Sequence, residues 1–292
     1  MDTRTDYMVN EFDLRFDINW AWVDLTVNRN VGSDVTLLTI GDSWTWGDEL
    51  GVSNGLRSEA CGDTDYRISK VFGNSLAQKL GANWVQIALP GGSWDWVIGE
   101  FEKLVPQLVP QTKKIIAVLG FSDHGRELDG EYETRVITQY KTSFADTANQ
   151  SIMDVLQDVE TWHYQRIDQV LKQNPTVRCI AGPAFTNSII SHPTQTPKHW
   201  IDLLFDIPLN PCYMQGSGVW SIAKFLERNE LITNKFKTEV GETWYNMINE
   251  RRDLMNVNPL LFKRWHPREE GHERWADYLY NYIIKNQLTA DN

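Results

Sequence analysis

Four short runs rich in aliphatic and β-branched residues, VTLLTIG (35–41), NWVQIAL (83–89), KKIIAVLG (113–120) and VRCIAGPAF (177–185), recur along this chain with little polar alternation. A strand with one wet face alternates apolar and polar residues. A run that is apolar throughout must be covered on both faces, as in a parallel sheet held between helical layers. The segments between the runs carry the helical period. Ile68, Val71, Phe72, Leu76 and Leu80 form one stripe, with Gly81 as its C-terminal stop. Val97, Ile98, Phe101, Leu104 and Val105 form a second, which Pro106 should end. Ile152, Val155, Leu156, Val159, His163, Ile167, Val170 and Leu171 form a third, about five turns long. Parallel neighbours need right-handed crossovers, so this order predicts a three-layer α/β/α sandwich with a central parallel sheet.

Two stretches stand outside that rhythm. Residues 1–34 contain WAWVDLTV, read as an added strand or a packing arm. A long insertion at about 186–258 opens with Pro193, Pro197, Pro208 and Pro211. Its stripe of Phe236, Val240, Trp244, Met247, Ile248 and Met255 predicts a mostly helical cap near one edge of the sheet. The expected organisation is one domain over 1–292 with these two additions.

Composition narrows the function class. Hydrophobic residues at 41% and charged residues at 23% suit a soluble globular protein, and no stretch approaches the roughly 18 to 20 apolar residues of a membrane span. MDTRTDYMVNEFDL has no apolar run behind a basic start, so no signal peptide is expected. Cys61, Cys179 and Cys212 are an odd, widely spaced set, which fits folding in a reducing cytoplasm without disulfides or a zinc site. A net charge of −11 disfavours nucleic acid as a partner. No cofactor is expected, since PGGS lacks the spaced glycines and lysine of a P-loop.

In open α/β sheets ligands sit beyond the carboxyl ends of the strands. The loops expected there are Gly41-Asp42-Ser43, Pro90-Gly91-Gly92-Ser93 and Gly120-Phe121-Ser122-Asp123, and Trp265-His266-Pro267 leads into a last helix striped with Trp275, Leu279, Tyr282 and Ile283. A serine nucleophile needs a base in reach and donors for the oxyanion. Ser43, the Gly91-Gly92 turn and His266 supply all three. Each also has a plainer reading: Ser43 as a helix cap, the glycines as a tight corner or weak anion site, His266 as an exposed loop residue.

GDS after the first strand, glycine after the second, and HPREEGH opening the last helix together resemble the ordered blocks of the GDSL/SGNH hydrolases, serine esterases on a flavodoxin-like three-layer sheet. The resemblance spans residues 35 to about 284 outside the insertion. It implies Ser43 as nucleophile and oxyanion donor through its N–H, Gly91 as second donor (Gly92 if the turn register differs by one), and His266 as general base. Two positions depart from the family. Ser122 stands where its asparagine donor is usual, and Lys263 where its aspartate orients the histidine. A backbone carbonyl or a carboxylate from elsewhere, such as Asp253, would then have to orient His266.

The resemblance implies hydrolysis of an acyl ester, with acetyl the expected acyl group, on an acylated small molecule or, from the paired tryptophans, a carbohydrate. Trp44, Trp46, Trp94 and Trp96, among 13 tryptophans, flank two of the loops and suit either sugar stacking or core packing. Asp123, with Arg126 and Glu127, is either a substrate contact or part of a solvated loop. His163 lies on an apolar stripe and reads as a core histidine. His266 and His272, six residues apart, would lie about 240° apart on a helix, so they do not form a one-faced metal pair. A reading from another class is a binding or structural module that keeps this fold without catalysis, motivated by Ser122 and Lys263.

Overall fold

The computed structural model describes residues 14, 24–30, 32–48, 50, 64–121, 152–182, 190–197, 262–263 and 266–290. Among the described residues, five strands form the main sheet: β1 (Asp24–Asn28), β2 (Val35–Gly41), β3 (Asn83–Ala88), β4 (Lys114–Gly120) and β5 (Val177–Ala181), in the order β1-β3-β2-β4-β5. β2 runs parallel to both β3 and β4, and β4 parallel to β5. Counted from β2, the parallel strands lie second, first, third, fourth, which is the flavodoxin-like order. β1, drawn from the WAWVDLTV stretch, adds an antiparallel edge, Leu25 opposite Ile87. The sheet is therefore mixed, with a parallel centre.

The helices are α1 (Ser43–Trp46), α2 (Thr64–Lys70), α3 (Phe72–Leu80), α4 (Trp94–Leu108), α5 (Ile152–Gln173) and α6 (Glu269–Lys285). Successive side chains along each strand enter opposite layers. Leu38, Ile40, Val85, Ile87, Ile115 and Leu119 pack with Val97, Phe101 and Leu104 of α4 and with Ile167 of α5. Leu37, Trp84, Ile116, Val118 and Ile180 pack with Phe72 and Leu76 of α3 and with Trp275, Leu279 and Ile283 of α6. That is the three-layer sandwich. Arg166 of α5 locks the first layer by bonding Glu102 of α4 through two nitrogens, at 2.8 and 2.7 Å, and Asp95 at 2.5 Å. His163 is buried beside the rings of Trp94 and Trp162.

Three local expectations are corrected. α4 runs through Pro106 to Leu108, and the Val109 N–H closes its last turn on the Val105 carbonyl. An interior proline costs about 3 kcal/mol, but Leu108 beyond it is fully buried in the core, and so near the helix end few hydrogen bonds remain to be lost. The stripe over 68–80 is two helices, because Val71 adopts extended backbone (φ −68, ψ 145) and α3 starts afresh at Phe72. β5 ends at Ala181, and its neighbour Gly182 is pressed so closely by Trp275 that an added Cβ would lie 2.7 Å from the indole. Of the expected insertion, only 190–197 falls among the described residues; Thr194 and Ala181 join it to β5 through a 2.7 Å backbone hydrogen bond.

Candidate active site

The order of the parallel strands reverses between β2 and β4, the switch point beyond which open α/β sheets place their ligands, and Gly41 pairs with Gly120 at the strand ends there. Both residues must lack a side chain. A Cβ on Gly41 would lie 2.0 Å from Thr45 Oγ1 and 2.9 Å from the Gly120 carbonyl oxygen, and one on Gly120 would lie 2.4 Å from Thr45 Oγ1. Thr45 thus seats α1 directly on the strand ends, which fixes Ser43 two residues earlier. Gly41→Ala is expected to cost about 1–3 kcal/mol in urea unfolding, as overpacking does. The same change should also lower any Ser43-dependent activity, because α1 has to lift.

α1 is a single turn with a cap at each end. The Asp42 side chain accepts from the Trp44 N–H at 3.0 Å, so the capping residue is Asp42 and not Ser43. Gly47 closes the turn in the left-handed region (φ 82), and the N–H groups of Gly47 and Asp48 donate to the Ser43 carbonyl at 3.1 and 2.9 Å. The Ser43 hydroxyl is left to other work. Its Oγ lies 3.0 Å from Nε2 of His266, although 223 residues separate the two in sequence.

His266 is delivered by a two-residue ladder in which β6 (Phe262–Lys263) pairs antiparallel with β7 (His266–Pro267), Lys263 opposite His266. α6 begins three residues later. Its His272 is fully buried, stacks on Phe72, and accepts the Phe72 N–H through Nδ1 at 3.2 Å. α3 has no side-chain cap at its N-cap residue Val71, so His272 serves that end from another helix. Burial, and secondarily the nearby His266, pushes the His272 pKa down from 6.5 to about 3. His272 therefore stays neutral and does not compete for a proton held by His266.

The second loop is a β-turn. Gly92 N–H donates to the Leu89 carbonyl at 2.7 Å, Pro90 occupies the second position, and Gly91 the third with φ 88, the pattern of type II. This turn spends the Gly92 N–H on the Leu89 carbonyl and leaves that of Gly91 outside the turn's own hydrogen bond. Leu89 N–H bonds the Gly41 carbonyl at 3.0 Å, tying this loop to the one that carries Ser43. Ser93 then caps α4 by accepting from Trp96 N–H at 3.1 Å.

Trp44, Trp46, Trp94 and Trp96 are core residues, which corrects the sugar-stacking reading of Trp44, Trp46 and Trp94. Trp44 is 2% exposed in the layer of α3 and α6, and Trp94 is fully buried and stacked on Phe121 with ring centroids 4.1 Å apart. Trp46 is covered by the Arg67 guanidinium, 4.0 Å above its ring, and Trp96 is buried as well. No sugar face can reach rings already occupied by protein. Ser122, Asp123, Arg126, Glu127 and Asp253 lie outside the described residues.

One neighbour of the pair was not singled out in the sequence. Asp48 Oδ2 lies 3.5 Å from His266 Nε2, the same nitrogen that faces Ser43, and its side chain is 15% exposed. The signal for it was the glycine that ends α1: a left-handed residue there turns the next one back toward the start of the helix.

No protein-family model and no curated protein sequence matches the chain. Distant likenesses exist among solved structures. One is a family two carbohydrate esterase from Clostridium thermocellum in complex with cellohexaose, at 12% identity and a TM-score of 0.37, with 87% of this chain and 64% of that one covered. A carbohydrate esterase family 2 enzyme from Corynascus thermopiles, carrying a carbohydrate binding domain, has 13% identity and a TM-score of 0.41, with 86% and 65% covered. A catalytic mutant of an acetylxylan esterase from Geobacillus stearothermophilus has 12% identity and a TM-score of 0.35, with 87% and 96% covered. The chain thus spans less than two thirds of the length of the first two of these.

Proposed function

We propose that this chain is a serine hydrolase of carboxylic esters, with Ser43 as nucleophile and His266 as general base. The observation that carries this is the 3.0 Å approach of Ser43 Oγ to His266 Nε2 at the switch point of the sheet. A hydroxyl already aimed at an imidazole nitrogen is within proton-transfer range, so the attacking oxygen and its base are assembled before substrate arrives.

The reaction proceeds in two halves. As Ser43 Oγ bonds to the ester carbonyl carbon, its proton moves to His266 Nε2, and the carbonyl oxygen gains charge that the Ser43 and Gly91 N–H groups receive. Nε2 then gives the proton to the departing alcohol oxygen as the ester bond breaks. Water repeats the sequence on the acyl-serine, with His266 again taking and returning one proton. The acyl group we assign is acetyl and the alcohol a carbohydrate. Acetylated sugar is the substrate class to assay first, because it matches the acetylxylan esterase named above, and the buried tryptophans add no support for it.

Treatment with a fluorophosphonate probe, peptide mapping of the adduct, and acetate release from acetylated xylan test this reading together. The expected result is one adduct, on Ser43, with probe and substrate competing. An adduct on another residue, or acetate release untouched by the probe, sinks it. Glycan binding without any adduct or acetate release would replace it with the binding-module reading.

A further inference from the structure

Asp48 stands where an ordinary catalytic triad has no acid. A triad carboxylate contacts Nδ1 and holds the ring from behind, whereas Asp48 Oδ2 is 3.5 Å from Nε2, on the side of the nucleophile. Its place is fixed by the turn that carries Ser43. Gly47 at φ 82 reverses the backbone, and the Asp48 N–H donates to the Ser43 carbonyl at 2.9 Å, so hydroxyl and carboxylate converge on one imidazole nitrogen from a single loop.

That placement has a direction in it. While Nε2 is an unprotonated acceptor for the Ser43 hydroxyl, a carboxylate beside it gains nothing. Once Nε2 carries the serine proton, the same carboxylate faces an N–H and a full positive charge. The interaction strengthens between ground state and transition state, which is the condition for raising kcat rather than tightening substrate binding.

We infer that Asp48 is the positioning acid of this site, acting on His266 Nε2 from the nucleophile's own turn in place of the family aspartate whose position Lys263 occupies. The inference rests on the hydrolase reading of Ser43 and His266. Asp48 itself gains and loses no proton. Serine's proton passes to Nε2 and on to the leaving alcohol while the carboxylate stays ionised. Among the described residues, Ser43 and Asp48 from α1 and its cap and the neutral His272 from α6 lie by His266, and Lys263 pairs with it in backbone register across the β6–β7 ladder.

Two measurements on the full chain and on Asp48→Asn separate this inference from the reading beneath it. In hydrolysis of p-nitrophenyl acetate, Asp48→Asn is expected to lower kcat about 10- to 100-fold with KM within about twofold, and to move the acidic limb of the kcat/KM profile to lower pH. Asp48→Glu, which restores the charge, should recover part of the loss. The His266 ring titration, followed by NMR, is expected to move to lower pH in Asp48→Asn whether or not the chain turns over an ester. An unmoved His266 titration with unchanged kcat overturns the role of Asp48. A moved titration in a protein whose Ser43 takes no fluorophosphonate overturns the hydrolase reading and leaves the Asp48–His266 coupling standing.

Discussion

Ser43→Ala is expected to lower kcat for ester hydrolysis by roughly 10⁴- to 10⁶-fold with little change in KM, and His266→Ala should fall into the same range. The reason lies in the 3.0 Å contact: hydroxyl and imidazole act as one unit, so losing either removes the same step. The double variant should therefore be no slower than the worse single one. Multiplied losses would mean that the two residues act independently and would remove His266 as the base. The variants should fold, because Ser43→Ala removes a single oxygen and its bond to His266 without changing the caps of α1, and circular dichroism of each checks this. What activity remains is the share owed to the donors of the Gly91 turn and to substrate positioning. An activity that keeps more than about a tenth of its rate in Ser43→Ala would place the chemistry elsewhere.

The parts of this molecule that could be read from sequence are those fixed by burial on both faces or by local turn chemistry. VTLLTIG is β2 from end to end because six of its seven residues are fully enclosed, so only a central parallel strand suits it. Gly81 ends α3 in the left-handed region as its position implied. Pro106 was misleading because its local penalty competes with the burial of Leu108, which depends on a sheet assembled from distant strands. The tryptophans failed in the same way. Trp44 follows Ser43 by one residue, about 100° around the helix, and closeness in sequence to a site residue does not set where a ring points. Asp48 needed the handedness of Gly47 before it could be placed at all.

His272 illustrates the same limit, since its partner Phe72 lies 200 residues away, and it leads to a second large effect. With a pKa near 3 in the fold and about 6.5 when unfolded, the ring binds a proton in the unfolded chain but not in the native one anywhere between those values. Stability contributed by the neutral ring is complete above about pH 6.5 and drains away as the pH falls towards 3, by up to about 1.4 kcal/mol for each pH unit. Between pH 7.5 and 4.5 the drain amounts to about 2–3 kcal/mol, a large part of the roughly 5–15 kcal/mol that holds a domain folded. Geometry and titration agree in sense, because a protonated Nδ1 can no longer accept the Phe72 N–H at the start of α3. His272→Asn keeps an acceptor near that position and cannot titrate. Urea unfolding at the two pH values should find the variant less stable than the parent at pH 7.5, yet losing about 2–3 kcal/mol less on acidification. Carboxylates contribute equally to both proteins and cancel in the difference. Equal losses in parent and variant would mean that His272 is protonated in the fold, and the link between α6 and the N-terminus of α3 would have to be drawn through another group.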